Sequence, residues 1–244
     1  MLLSQLLALS FIQGVSEFLP ISSSGHLNLV QSLFYLSPSL SLDVFLNTAT
    51  LGSVLFVFRH QVKDFFAKLP FIVIATLPAA IIGLLFKDSL DLLFSQIQYL
   101  PLFFLITSLI LFSQKFITPQ KQSLTWQKAL IVGLFQALAL FPGVSRSAST
   151  LFACLLVGLP LAVSFRFTFF LFIPASLGAL VLSLNQIGSL YTTDFNLTSF
   201  VLAFLITLLV GIFCLRLLQK LFISQKLYLF SFYTLLLAFL VTLI

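Results

Sequence analysis

Uninterrupted apolar runs of 15 to 20 residues recur along this chain from end to end, and that recurrence leaves few folds open. Backbone can cross hydrocarbon only as α-helix or closed barrel, because in lipid every N–H and C=O must find its partner within the protein. Barrel strands alternate apolar and polar residues; these runs do not. Only 7% of the 244 residues are charged and 60% are hydrophobic, where a soluble domain carries about a quarter charged residues. The expected class is therefore an all-α membrane protein, a single transmembrane domain over residues 1–244.

Six runs are long enough to span the bilayer, at roughly 42–58, 70–86, 99–113, 166–185, 198–215 and 227–244. Two further segments, 2–36 and 128–160, are apolar at both ends but broken by short polar stretches containing Pro and Gly. Such a break is too short for an aqueous loop, and the pattern predicts two re-entrant helix pairs. The N-terminal stretch lacks the basic start and small-residue cleavage site of a signal peptide, so it is read as retained.

Short cytoplasmic loops collect Lys and Arg. Arg59, Lys63 and Lys68 share one loop, Lys115, Lys121 and Lys128 a second, and Arg216, Lys220 and Lys226 a third, so all three are expected in the cytoplasm. The connections bearing Lys87, Asp88 and Asp91, or Asp194 alone, then lie outside. This distribution accounts for the net charge of +6 as an orientation signal and argues against a nucleic-acid partner. Cys154 and Cys214 lie in separate apolar segments without metal-ligand spacing and read as buried structural thiols.

On this topology segment 2–36 dips in from the outer face and segment 128–160 from the cytoplasmic face. An offset of 123 residues aligns Gln13 with Gln136, Phe18 with Phe141, Ser22 with Ser145 and Ser24 with Ser147, without a gap. Each half, approximately 1–122 and 123–244, would hold one re-entrant pair and three spans. Three is odd, so the two halves form an inverted repeat.

The first break reads Gln13-Gly-Val-Ser-Glu17-Phe-Leu-Pro20-Ile-Ser22-Ser23-Ser24-Gly25-His26. A carboxylate at the bilayer centre costs about 2.5 to 3.5 kcal/mol on insertion scales, so Glu17 needs a partner or a metal. Gln13 lies four residues earlier, on the same helix face. Pro20 stops that helix; Ser22, Ser23, Ser24 and Gly25 then expose hydroxyls and N–H groups at the start of the returning helix, where anions bind. His26 can exchange a proton near neutral pH. Bland alternatives are a neutral Glu17–His26 pair that fixes packing, and serines that merely cap a helix.

The second break reads Phe141-Pro142-Gly143-Val144-Ser145-Arg146-Ser147-Ala148-Ser149-Thr150. An Arg at membrane depth, flanked by the hydroxyls of Ser145, Ser147 and Thr150, suits a phosphate clamp. Its alternative is an ion pair to Glu17, which would still bring the two motifs together. If the breaks meet, one pocket holds a carboxylate, an imidazole, a guanidinium and several hydroxyls, an inventory matching phosphoryl transfer or phosphate hydrolysis on a lipid-borne substrate. A hard divalent cation, Mg²⁺ or Ca²⁺, would sit on Glu17 with Gln13 and the phosphates. Arg166 reads as snorkelling in preference to helping the second motif. Asn47, Thr48 and Thr50 either line the pocket or bond across helices, and His60 reads as an interface residue.

The two motifs resemble the signatures of the bacterial undecaprenyl-diphosphate phosphatase family, the bacitracin-resistance type of membrane phosphatase. The first signature is met by Gln13, Glu17, Pro20, Ser22, Ser23, Gly25 and His26, and the second by Pro142, Gly143, Ser145, Arg146 and Ser147. The resemblance implies hydrolysis of undecaprenyl diphosphate to undecaprenyl phosphate and inorganic phosphate. That reaction recycles the lipid carrier of peptidoglycan and other envelope polymers. It also implies dependence on a divalent cation, a multi-pass location in the bacterial inner membrane with the site open to the extracytoplasmic side, and bacitracin resistance. This chain departs from the family pattern at Gln13, where many relatives carry Glu, at Asn47-Thr48-Ala49-Thr50, and at Ala148.

The mechanism expected from these residues has Glu17 and Gln13 positioning the cation, Arg146 and the serine-rich helix ends holding the diphosphate, and His26 as general acid or base. Ser22 or Ser23 attacking phosphorus and an activated water attacking it remain equal choices. The rival from another class is a polyprenyl-phosphate transporter, since inverted repeats with broken helices also build transport sites. The oligomeric state is left open, a homodimer being one of the options.

Overall fold

Each long apolar run closes its own backbone hydrogen bonds as helix, as hydrocarbon requires. The computed structural model describes residues 1–36, 40–94, 96–187 and 197–243, and among them there are helices and no strands. In chain order the helices are α1 (Leu3–Ser16), α2 (Ser23–Leu33), α3 (Leu40–Val57), α4 (Val62–Ala67), α5 (Leu69–Leu85), α6 (Lys87–Phe94), α7 (Leu100–Ser113), α8 (Trp126–Leu138), α9 (Arg146–Leu156), α10 (Leu161–Ile187), α11 (Leu197–Ile223) and α12 (Leu229–Val241). The chain is thus an all-α membrane protein. Pro sits in the first turn of both α5 and α7, where its missing N–H is no loss.

The breaks fall where the sequence places them. α1 has 14 residues and α2 has 11, so at 1.5 Å per residue neither reaches across a hydrocarbon core of about 30 Å. α8 and α9, of 13 and 11 residues, repeat that arrangement. α1 packs against α2 and α8 against α9, while α1 rests on α11 and α8 on α5.

Three segments are long and apolar enough to cross a membrane alone: Ile97–Phe116, Leu161–Ser183 and Leu197–Ile223. Two more qualify when joined to bent continuations, Ser41–Val57 with Arg59–Ala67 at 61° and Leu69–Leu85 with Lys87–Phe94 at 81°. The stretches expected as loops at 59–68 and 87–94 are therefore largely helical, the first supported by an ion pair between Lys68 and Asp64 one turn apart. The run expected to span 227–244 is shorter, with 13 residues in α12. The span expected from 166 starts at Leu161, because Arg166 is accommodated on the helix by Asp64, Nη1 to Oδ2 3.3 Å. Asp194 and its connection lie outside the described residues.

An aromatic core lies beneath the first break. Phe18 is fully buried and meets Phe169 and Phe172 with ring centroids 5.9 and 6.1 Å apart. Large apolar side chains such as Phe213 and Phe239 point outward, as lipid contact allows. Cys154 and Cys214 are buried and unbridged.

Candidate active site

The two breaks touch. A Cβ added at Gly25 would lie 3.0 Å from Cα of Gly143 and 2.6 Å from Cζ of Phe104, so only glycine lets these backbones approach so closely. The second break is held by Thr107, whose hydroxyl donates to the Gly143 carbonyl at 2.7 Å and accepts from the Ser145 N–H at 3.0 Å. Thr107 thus satisfies backbone groups that the Pro-Gly break removes from the helical ladder. Gly143 has φ +100°, a conformation that side chains with a Cβ rarely adopt.

Ser22 caps α2 and Ser145 caps α9, each hydroxyl accepting from an N–H three residues on, at 3.4 and 3.3 Å. Each also shares a hydrogen bond with the serine two residues later, Ser22 with Ser24 at 3.3 Å and Ser145 with Ser147 at 3.2 Å. Ser22 has φ 71°. A non-glycine residue in that region stores strain of order 1–3 kcal/mol, which the surrounding contacts must offset.

Glu17 is the centre of this junction. Its Oε1 accepts from Arg146 Nη2 at 2.7 Å, and its Oε2 accepts from Ser23 Oγ at 2.5 Å and from Gln13 Nε2 at 3.0 Å. The carboxylate is only 6% exposed and Arg146 25%. Three donors, one of them charged, offset the desolvation of the carboxylate. Arg146 is further held over the Phe172 ring, Cζ 4.3 Å from the centroid. Position 146 is the offset equivalent of Ser23, so the two halves supply equivalent positions to the two oxygens of one carboxylate.

A cavity of about 730 Å³ opens beside Glu17. Ser16, Glu17, Ser22, Ser23, Ser24, Asn47, Gln136, Ser145 and Arg146 supply its polar lining. Its other wall, from α5 and α10, is apolar apart from Thr76 and Ser183. Small residues on those helices make the space: a Cβ added at Gly178 would meet nothing within 4 Å, and one at Gly83 would first meet Leu140 at 3.9 Å. The α6 residues Lys87 and Asp91 also line it. A second, wholly apolar cleft of about 250 Å³ shares Thr76, Ala80, Pro174 and Leu177 with the first, so the apolar wall continues between α5 and α10.

Of the residues singled out in the sequence, Glu17, Ser22, Ser23, Ser24, Ser145 and Arg146 line the cavity together. Gln13 is buried behind Glu17, and Gly25 serves close packing. Ser147 donates to the Phe18 carbonyl at 3.4 Å and Thr150 to that of Arg146 at 2.8 Å; neither lines the cavity. His26 does not line it either. Its Nδ1 bonds the Ser22 carbonyl at 2.7 Å and its Nε2 the Tyr233 hydroxyl at 2.8 Å. A carbonyl can only accept, so Nδ1 carries the hydrogen. Asn47 faces the cavity, whereas Thr48 and Thr50 bond carbonyls of their own helix. Sequence reasoning missed Thr107 and Tyr233, which lie in apolar runs far from both motifs.

Fold and site together define a polytopic helical membrane protein in which two broken-helix motifs meet at one polar junction around Glu17 and Arg146. A family model described as "Bacitracin resistance protein BacA" matches residues 6–240, and the chain belongs to that family. It is similar to "Undecaprenyl-diphosphatase" of Thermosipho africanus, 39% identical over an alignment that covers 95% of this chain and 96% of the relative. Proteins of Methanobrevibacter smithii, at 34% over 94% of this chain and 92% of the relative, and of Bacillus cereus, at 35% over 93% and 92%, carry the names "Undecaprenyl-diphosphatase" and "Undecaprenyl-diphosphatase 1".

Proposed function

We propose that this chain hydrolyses undecaprenyl diphosphate to undecaprenyl phosphate and inorganic phosphate, the reaction its relatives' names describe. The observation that carries the reading is the Ser23–Glu17–Arg146 contact at the cavity wall, a hydroxyl and a guanidinium on opposite oxygens of one carboxylate. A nucleophile, a base within hydrogen-bond reach and a fork-shaped anion binder are what attack on a phosphoanhydride needs. The apolar wall between α5 and α10 suits a prenyl chain attached to the diphosphate.

In this mechanism Arg146 passes from Glu17 to the incoming diphosphate, and the N-termini of α2 and α9 add N–H and hydroxyl donors. Ser23 Oγ attacks the terminal phosphorus while its proton moves to Glu17. The anhydride P–O bond breaks, and undecaprenyl phosphate leaves with the electron pair. Water then cleaves the phosphoserine, releases inorganic phosphate and restores the Ser23 hydroxyl. His26, bound to the Ser22 carbonyl, positions the strained serine turn from outside the cavity.

Dependence on Mg²⁺ or Ca²⁺ is part of the proposal. The donors fit a hard cation that arrives with the diphosphate: Glu17 offers a carboxylate, and Gln13 Oε1 is a buried acceptor without a partner among the described residues. No group of three or more His, Cys, Asp or Glu side chains suited to a metal occurs among the described residues, so Glu17 and Gln13 would hold the cation only together with the diphosphate. Bound there, the cation neutralises phosphate charge. We further propose that residues 1–122 and 123–244 form the inverted repeat, supported by the matching helix pairs. The site would open to the outer face of the bacterial inner membrane, supported by the Lys and Arg of the opposite loops. Trapping a phosphoserine at position 23 during turnover of undecaprenyl diphosphate tests the mechanism; turnover with oxygen-isotope incorporation and no such intermediate would replace Ser23 with water.

A further inference from the structure

Gln136 stands in the last turn of α8, lines the cavity with Ser145 and Arg146, and is only 2% exposed. Neither its Oε1 nor its Nε2 has a hydrogen-bond partner among the described residues. Buried amides are almost always satisfied, because leaving one unpaired forfeits the hydrogen bonds it would make in water. Both amide atoms are closed off from solvent as the side chain stands, so a ligand in the cavity would meet the amide after a small turn of the side chain at the wall.

The repeat identifies that ligand's charge. Gln13, the offset equivalent of Gln136, occupies the same place on α1 and donates its Nε2 to the carboxylate of Glu17 at 3.0 Å. The offset equivalent of Glu17 is Leu140, so the second half presents the same amide donor without the anion it would bind. The α9 N-terminus, capped by Ser145, and Arg146 line the same cavity. We infer that Gln136 is a further substrate-binding residue, its Nε2 donating to a non-bridging oxygen of the bound diphosphate, which takes the place of the carboxylate missing at position 140. The inference rests on the phosphatase reading for the identity of the substrate, but its anion chemistry can be tested without turnover.

The experiment compares wild type with Gln136→Met, close in shape and without amide hydrogens, and Gln136→Glu, which sets a like charge against the phosphate. Thermal unfolding of each is followed in detergent with and without inorganic pyrophosphate, and phosphate release from undecaprenyl diphosphate is measured in parallel. Because the amide bonds no described residue, Gln136→Met should unfold at or above the wild-type temperature without ligand. Its stabilisation by pyrophosphate should shrink, and kcat/KM should fall roughly ten- to a hundredfold, mainly through KM. Gln136→Glu should lose more. Pyrophosphate stabilisation and KM equal to wild type would overturn the inference, and so would a sharp drop in the unfolding temperature of both Gln136→Met and a second variant, Gln136→Asn. Wild type inert towards undecaprenyl diphosphate, with pyrophosphate stabilisation still weakened in Gln136→Met, would overturn the phosphatase reading and leave the anion site standing.

Discussion

Replacing Arg146 by Met tests whether the Glu17–Arg146 pair is scaffold or machinery. Removing one partner of a buried pair strands the other charge, at a cost of about 3–5 kcal/mol. Here Arg146 is 25% exposed, and Glu17 keeps its bonds from Ser23 and Gln13, so the expected loss is lower, about 2 kcal/mol. The double variant Glu17→Gln with Arg146→Met removes both charges and should recover most of that stability. Activity should behave differently. Arg146 gives up a charged hydrogen bond to developing phosphate charge, a loss of roughly a hundred- to a thousandfold in kcat, and the double variant should stay as inactive as the single. Denaturant unfolding in detergent and phosphate release from undecaprenyl diphosphate, run on the same preparations, measure both quantities. Recovery of turnover together with stability in the double variant would refute the reasoning, since it would make the pair structural only.

Ser23→Ala removes the hydroxyl 2.5 Å from Glu17 and should lower turnover by at least about a thousandfold, as loss of a nucleophile does, while unfolding shifts by under about 1 kcal/mol; steady-state phosphate release and denaturant melts check both. Tyr233→Phe should cost about 1 kcal/mol of stability and leave kcat within about threefold, because the hydroxyl braces His26 outside the cavity. A loss beyond about a hundredfold in the same phosphate-release assay would instead give His26 a catalytic proton. Gly143→Ala forces a Cβ to 2.7 Å from Phe103 Cβ at φ +100°, and should destabilise by at least about 2 kcal/mol in the same unfolding assay.

The sequence carried most of the fold because hydrocarbon leaves the backbone so few choices. The long runs and the two Pro- and Gly-bearing breaks could be read directly, and α2 and α9 begin at Ser23 and Arg146, directly after the capping serines. Helix ends were less legible. Arg166 reads as a boundary in the sequence, but Asp64 meets it from another helix, and the charged stretches at 62–67 and 87–94 form short helices that a search for apolar runs passes over. Within the site, nothing in the sequence sets Ser23 above Ser22, whereas Glu17 and Arg146 announce themselves by their cost at membrane depth. Tyr233 and Thr107 do not, since a hydroxyl in an apolar helix more often bonds its own backbone, as Thr48 does, and only the tertiary contact reveals its partner. Gln136 was visible as the counterpart of Gln13, but its unsatisfied amide could be recognised only once the cavity was in view.

On the proposed mechanism the cavity between the two breaks hydrolyses a lipid diphosphate. The most direct test is phosphate release from undecaprenyl diphosphate by the purified protein in detergent, with and without EDTA, for wild type and Glu17→Ala. Release by wild type that stops with EDTA and with Glu17→Ala is the predicted result. Undiminished release by a folded Glu17→Ala variant, or no release by folded wild type supplied with Mg²⁺ or Ca²⁺, would contradict it.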